Sequence, residues 1–166
     1  MFSYKTAVAL RKLGYSQIRI YNGGIKDWCK NALPIAFTDR LPDIQTSALS
    51  AEALLDKLTR LSGRCGPGTD RLPLVILDLR NEPVLSPGKR SVRIKSDCPT
   101  IHMLLDDLLK KEKRDLIPES ALIVTVTETG NRDDFAIRYL SRFGITRIKR
   151  LRYGMRGWIK KRYPVE

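Results

Sequence analysis

Ile123-Val124-Thr125-Val126-Thr127-Glu128-Thr129-Gly130-Asn131-Arg132 reads as a buried strand that empties into a short loop opening a helix. The β-branched apolar run stopped by Gly130 predicts the strand. Beyond it, Phe135, Ala136, Tyr139, Leu140 and Phe143 recur at helical spacing from Asp133, and Gly144 suits the stop. A loop at such a junction aims several backbone N–H groups at one point and adds the positive end of the helix dipole. It therefore favours an anion, or depresses the pKa of a thiol placed there. No cysteine stands in it, and Thr127 is the side chain at the end of the strand.

Outward from this junction, strands alternate with helices. Leu74 to Leu79 is a near-continuous apolar strand of the kind found inside a parallel sheet covered on both faces. Ser50 is placed to cap a helix from Ala51 to Leu61 with Ala53, Leu54, Leu58 and Leu61 as its apolar stripe. Gly63 to Asp70 reads as a loop, Pro83, Pro87 and Gly88 as turns, and Ser91 to Lys95 as a short strand. After Pro99 and Thr100, an amphipathic helix is expected with Ile101, Leu104, Leu105, Leu108 and Leu109 inward. The alternation predicts an α/β sandwich with a mainly parallel sheet. Its ligand crevice should lie beyond the carboxyl ends of the strands, where the Thr127 loop falls.

The strand, six-residue loop, helix and Gly144 are followed by a short basic strand, then by Tyr153-Gly154-Met155-Arg156-Gly157-Trp158 and Tyr163-Pro164. This succession resembles the C-terminal half of a rhodanese domain. Leu74-Val75-Ile76-Leu77-Asp78-Leu79-Arg80-Asn81-Glu82 resembles the same family's first core strand with its Asp-x-Arg signature, and Leu49-Ser50-Ala51-Glu52-Ala53-Leu54 its opening helix. The resemblance covers residues 44–166 and implies a three-layer α/β/α sandwich. In that family the loop is Cys-x-x-Gly-x-Arg, the cysteine carries a persulfide and loop amides hold the sulfur anion. Gly130 and Arg132 match, whereas Thr127 replaces the cysteine. Thr127, Glu128, Thr129, Gly130, Asn131 and Arg132 are thus expected to form an anion-binding loop without a catalytic residue, and no cofactor or metal is expected. The resemblance also implies that Asp78 and Arg80 are structural, tying the first strand to neighbouring loops.

Sulfur transfer needs a thiolate, and a threonine hydroxyl with no base beside it offers no route to a persulfide. Glu128, Asp133 and Asp134 would repel an incoming anion, and Arg132 offsets only part of that. A phosphatase of this fold also needs the cysteine, in a loop one residue longer.

A second pattern concerns the start of the chain. Leu10, Gly14, Ile18, Gly24, Trp28 and Pro34 recur as Leu140, Gly144, Ile148, Gly154, Trp158 and Pro164, each 130 positions later. A fixed spacing over six positions points to duplication. Residues 1–38 therefore read as the C-terminal remnant of a first rhodanese-like unit, with a helix from Tyr4 to Leu13, a strand from Gln17 to Tyr21 and a second helix ending near Asn31. Residues 39–43 read as linker and 44–166 as the complete domain. The remnant is expected to dock on the complete domain or to pair with a second copy as a homodimer. Two functions follow: a catalytically inactive module with an interaction or scaffold role, or part of a tandem thiosulfate or persulfide sulfurtransferase whose reactive cysteine lies in the missing first-domain segment. The partner would be a protein or a sulfur-carrier protein.

The composition is globular, 42% hydrophobic and 30% charged over 166 residues, which argues against whole-chain disorder. No apolar run approaches the roughly 20 residues of a membrane span, and no secretory signal is evident, so a cytoplasmic protein is expected. The net charge is +13. Arg138, Arg142, Arg147, Lys149, Arg150, Arg152, Arg156, Lys160, Lys161 and Arg162 cluster without an acidic residue between them, a face suited to weak polyanion binding. Cys29, Cys65 and Cys98 have neither metal spacing nor an even count, so no disulfide framework is expected. Cys65 reads as an exposed loop thiol and the lone His102 as an ordinary helical residue.

Overall fold

The structure, a computed structural model, describes residues 2–34, 40–65, 73–81 and 92–166. Residues 35–39, which include the first residue of the expected linker, the rest of the glycine-rich loop after Cys65 and the Pro83–Gly88 turns lie outside the described residues. The backbone divides into two compact units, Met1–Arg40 and Leu41–Glu166.

The second unit is built on five strands. They are β1 (Ala48–Leu49), β2 (Leu74–Asp78), β3 (Thr100–His102), β4 (Leu122–Val126) and β5 (Ile148–Leu151), in the order β1-β5-β4-β2-β3. Every pairing within this sheet is parallel. Helices α3 (Ala51–Arg60), α4 (Lys111–Arg114), α5 (Asp133–Ser141) and α6 (Gly154–Lys160) complete the unit, with a 3-10 turn at Leu105–Leu109. Strand side chains alternate between faces, and the core divides accordingly. Leu74, Ile76, Val124 and Val126 meet Leu54 and Leu58 of α3 and Met155 and Trp158 of α6. Val75, Leu77 and Ile123 meet Ala136, Ile137 and Leu140 of α5 on the opposite face. The result is the expected α/β/α sandwich. The Ser50 hydroxyl caps α3 by accepting from Ala53 N at 3.1 Å, which satisfies one of the free N–H groups of its first turn.

Three local expectations fail. Thr100, Ile101 and His102 pair in parallel with Ile76, Leu77 and Asp78, so the predicted helix begins as an edge strand and continues only as the 3-10 turn. Of the strand expected from Ser91 to Lys95, the described residues 92–95 supply a single antiparallel bridge, Ile94 to Val165. Cys65 and Cys98 are not free thiols, because they form a disulfide across 33 positions and both are buried. Packing explains the meeting. The Asp97 carboxylate accepts from Ser62 Oγ at 2.7 Å and Gly63 N at 3.2 Å, and the Pro99 carbonyl accepts from Ile76 N at 2.9 Å. The end of α3 and the entry to β3 are thereby drawn together.

A bridge closing a loop of this length restricts the unfolded chain and is worth about 2–4 kcal/mol. The Cys65→Ser, Cys98→Ser variant should lose that amount in urea unfolding under oxidising conditions. Reductant should lower the parent to the same midpoint and leave the variant unmoved. A parent midpoint indifferent to reductant would refute the contribution.

The first unit holds α1 (Phe2–Lys12) and α2 (Gly24–Lys30). Residues 17–21 belong to no strand. A strand needs a ladder partner, and the described residues of this unit contain none. The backbone nonetheless repeats that of the second unit. Gly14, Gly24 and Ala32 have φ of 92°, 65° and 51°, against 82°, 57° and 56° for Gly144, Gly154 and Arg162. Helices α2 and α6 start and stop 130 positions apart. Trp28 Nε1 donates to the Pro34 carbonyl at 3.0 Å as Trp158 Nε1 donates to that of Pro164 at 2.9 Å.

Candidate functional site: the loop after the central strand

Strand β4 is flanked by β2 and β5, so its carboxyl end delivers Thr127 to the middle of the sheet's edge, where α5 begins. The loop is held from beneath by the start of α6. Met155 N donates to the Thr127 carbonyl at 2.9 Å and Arg156 N to that of Glu128 at 3.0 Å. The contact is so close that a Cβ on Gly154 would fall on the Thr127 carbonyl, and one on Gly130 would press on Tyr153 N and Gly154 N. Both glycines also have positive φ, where other residues are strained. Gly130 and Gly154 are thus required by the loop's geometry.

Inside the loop the Thr127 side chain is buried, 5% exposed. Its oxygen accepts from Gly130 N at 3.1 Å, and its hydroxyl donates to Asp133 Oδ2 at 2.7 Å. One of the amides that would face a bound anion is therefore already turned to Thr127. Glu128, Asn131 and Arg132 are exposed and Thr129 is partly so. The Glu128 carboxylate lies 4.0 Å from Arg156 Nε, so its charge is partly compensated.

Asp133 is what the sequence reading missed. The sequence presents it only as a charge that would repel an incoming anion, with no base beside Thr127. Instead Asp133 has no exposed surface, and among the described residues its Oδ1 has no hydrogen-bond partner. Burial pushes its carboxyl above the usual range, against the opposing influence of hydrogen bonds from Thr127 and Thr125 and of the Arg150 charge. Helical periodicity held the signal: residue 133 precedes Ala136, Ile137 and Leu140 by three, four and seven positions, and these four are the buried residues of α5. Phe135 and Phe143 stay substantially exposed, stacking along the helix with Tyr139 between them. Asp134 turns away from the loop toward Thr46 and Arg138.

The raised pKa carries a sign. The native state binds more protons than the unfolded chain between the ordinary carboxylate pKa and the raised one. Stability from this group is therefore present at low pH and lost as pH rises through the native pKa. Asp133→Asn keeps an acceptor for the Thr127 hydroxyl and removes the titration. It should stabilise the protein at pH 7 by about 1 kcal/mol or more, an advantage that shrinks toward pH 4. Parallel stability profiles for variant and parent would contradict this.

Asp78 and Arg80 form a bidentate pair at the end of β2. Arg80 Nε and Nη2 donate to the two carboxylate oxygens at 2.9 and 2.7 Å, and Nη2 also reaches the Val92 carbonyl at 2.9 Å. His102 lies on β3 rather than a helix, with Nε2 2.9 Å from the Arg80 carbonyl. These contacts tie β2, β3 and the segment at Val92 together and present no reacting group. The basic C-terminal face is partly neutralised from elsewhere in the chain. Arg138 pairs with Asp134 at 3.0 Å and Lys161 with Glu52, whereas Arg147 Nη1 donates to the neutral Ser120 carbonyl at 2.6 Å and keeps its charge. No helix among the described residues is long and apolar enough to cross a membrane, and none of their acidic, histidine or cysteine side chains group in a metal-binding cluster.

No protein-family model matches the chain, and no curated protein matches it. Solved structures do. A thiosulfate sulfurtransferase from Pseudomonas aeruginosa aligns at a TM-score of 0.51 and 16% identity over 81% of this chain and 21% of that one. A protein of unknown function and possible tyrosine phosphatase from Rhodopseudomonas palustris aligns at 0.55 and 15%, over 91% and 100%. A protein from Lactobacillus plantarum aligns at 0.53 and 21%, over 72% and 86%. At these identities the likeness is one of fold: the chain is built as a rhodanese-like α/β/α sandwich around a parallel sheet.

Proposed function

We propose that this protein is a rhodanese-like module without sulfurtransferase activity that works by holding a partner, a protein or a sulfur-carrier protein, and that its leading unit is the tail of a second such domain. One observation carries the reading. The Thr127 hydroxyl fills the loop, taking the Gly130 N–H and giving its proton to the buried Asp133. Sulfur transfer requires a thiolate at this place, to attack the sulfane sulfur and keep it as a persulfide. A hydroxyl cannot form that bond. Asp133 is positioned as a base, yet the oxygen it would activate is locked and buried. Anion binding at the mouth of the loop, next to Arg132, belongs to the same proposal, as does weak polyanion binding on the residual charge of the C-terminal face. The matching backbones of the two units favour the tandem arrangement. The Cys65–Cys98 disulfide weighs toward an oxidising compartment rather than the cytoplasm, where such bridges are rare.

The test is a thiosulfate:cyanide assay with intact-mass analysis after incubation with a sulfane donor. No cyanide-dependent turnover and no sulfur adduct are expected. Turnover that disappears in Cys29→Ser, the substitution of the free exposed thiol, would overturn the reading and relocate the nucleophile.

A further inference from the structure

Asn22-Gly23 is the one asparagine-glycine pair in the chain, and it forms the exposed turn that leads into α2. Gly23 is fixed there by geometry. Its φ of 151° lies in the range that other residues rarely adopt, and a Cβ on it would fall 2.5 Å from the Asp27 Cβ. Gly24 N closes the turn by donating to the Tyr21 carbonyl at 3.3 Å. Among the described residues, neither the Asn22 side-chain amide nor the Gly23 N–H has a hydrogen-bond partner. The equivalent positions in the second unit, Arg152 and Tyr153, are exposed as well, so this turn belongs to the surface of a complete unit and not only of the leading one.

We propose that Asn22 is a site of spontaneous deamidation, converted to isoaspartate and aspartate through attack by the main-chain nitrogen of Gly23. That nitrogen gives its proton to a hydroxide ion and bonds to Asn22 Cγ, closing a five-membered succinimide. The Cγ–Nδ2 bond breaks, and Nδ2 leaves as ammonia with a proton supplied by water. A second water molecule then opens the ring. Opening at Cγ gives aspartate, and opening at the main-chain carbonyl carbon gives isoaspartate, with the chain routed through the side chain. The attack needs a nitrogen that is neither hydrogen-bonded nor screened by its own side chain. Gly23 meets both conditions. Ala32, Glu82 and Arg132, which follow Asn31, Asn81 and Asn131, all carry side chains. Ala32 N is also held by the Cys29 carbonyl at 3.1 Å, and Asn31 Nδ2 by that of Asp27 at 2.8 Å.

Either product places a carboxylate where an amide stood, in a stretch, residues 1–38, whose only acidic side chain is Asp27. Isoaspartate also lengthens the main chain inside the turn. The Gly24 bond to Tyr21 and the Tyr21 hydroxyl's bond to Asp27 at 2.8 Å then lose their register. The inference is independent of whether the Thr127 loop is inert.

The experiment incubates the full chain in mildly alkaline buffer, samples it over days and maps the digested peptides by mass. The amide-to-acid mass gain is expected at Asn22 at least tenfold faster than at Asn131, because Gly23 allows the close approach that Arg132 hinders. The rate should rise in proportion to hydroxide, and isoaspartyl methyltransferase should label the product. Asn22→Gln, at an exposed position whose longer side chain would have to close a six-membered ring, should abolish the gain and leave the unfolding midpoint of the second unit unchanged. Amide exchange in the aged parent should quicken at residues 24–28 and stay as it was at 154–158. Equal rates at Asn22 and Asn131, a mass gain that Asn22→Gln does not remove, or conversion confined to the urea-unfolded chain would each overturn the proposal.

Discussion

Trp158→Ala should cost the second unit about 3–5 kcal/mol, the range for deleting a buried aromatic side chain. The indole has no exposed surface and packs with Leu54, Leu151 and Met155. Its N–H holds the Pro164 carbonyl at 2.9 Å, and Tyr163 stands edge-on to it at 5.1 Å. Truncation opens a cavity at the junction of α3, α6 and the sheet and strands the carbonyl. Since a whole domain is stabilised by only about 5–15 kcal/mol, this loss is a large share of the second unit's stability. Trp158→Phe is the milder probe: it keeps most of the ring and loses the hydrogen bond, for about 1 kcal/mol. Trp28→Ala removes the same kind of indole with the same kind of carbonyl bond, yet Trp28 is only part-buried. It should leave the main unfolding transition within about 0.5 kcal/mol of the parent. Equal losses for Trp158→Ala and Trp28→Ala in urea unfolding followed by circular dichroism would show that the first unit is as well packed as the second.

That contrast also marks what was legible in the residues. Strands β2 and β4 and helices α3 and α5 could be read from the chain because each carries its own period and its own stops, Ser50 before α3 and Gly144 after α5. The order of the sheet, β1-β5-β4-β2-β3, was not legible, since nothing local specifies which strand lies beside which. Strand β3 was hidden because Ile101, Leu104, Leu105, Leu108 and Leu109 also satisfy a helical spacing, and what decides for a strand is the pairing of Thr100, Ile101 and His102 with distant Ile76, Leu77 and Asp78. The disulfide was hidden for a related reason. Cys65 and Cys98 are 33 positions apart, and the odd count made pairing look unlikely. At the site, Thr127 and Gly130 stood out by motif. Asp133 did not, because an acidic residue at a helix start has a sufficient surface explanation in the dipole, and only its phase on α5 put it indoors.

Asp133 also decides how the loop should respond to a restored cysteine. In Thr127→Cys the new thiol takes the place of a hydroxyl that lies 2.7 Å from the Asp133 carboxylate. The two groups then compete for one proton, and the carboxyl, although raised by burial, is the stronger acid by nature. The negative charge therefore rests on Asp133 and the sulfur stays protonated, despite the loop amides and the start of α5. A unit charge about 4 Å away at an effective dielectric near 20 is worth about 4 kcal/mol, or about three pKa units. Thr127→Cys alone should show a thiol pKa at or above the ordinary value of about 8.5 and negligible sulfurtransferase turnover. Adding Asp133→Asn lets the single negative charge settle on sulfur, where Gly130 N is already aimed. The double variant should have a thiol pKa lower by about two to three units and a measurable thiosulfate:cyanide rate. Both are made in a Cys29→Ser background, so that the pH dependence of alkylation reports position 127 alone. A single variant whose thiol pKa and turnover equal those of the double would show that Asp133 exerts no field on the loop, and that the threonine alone keeps it silent.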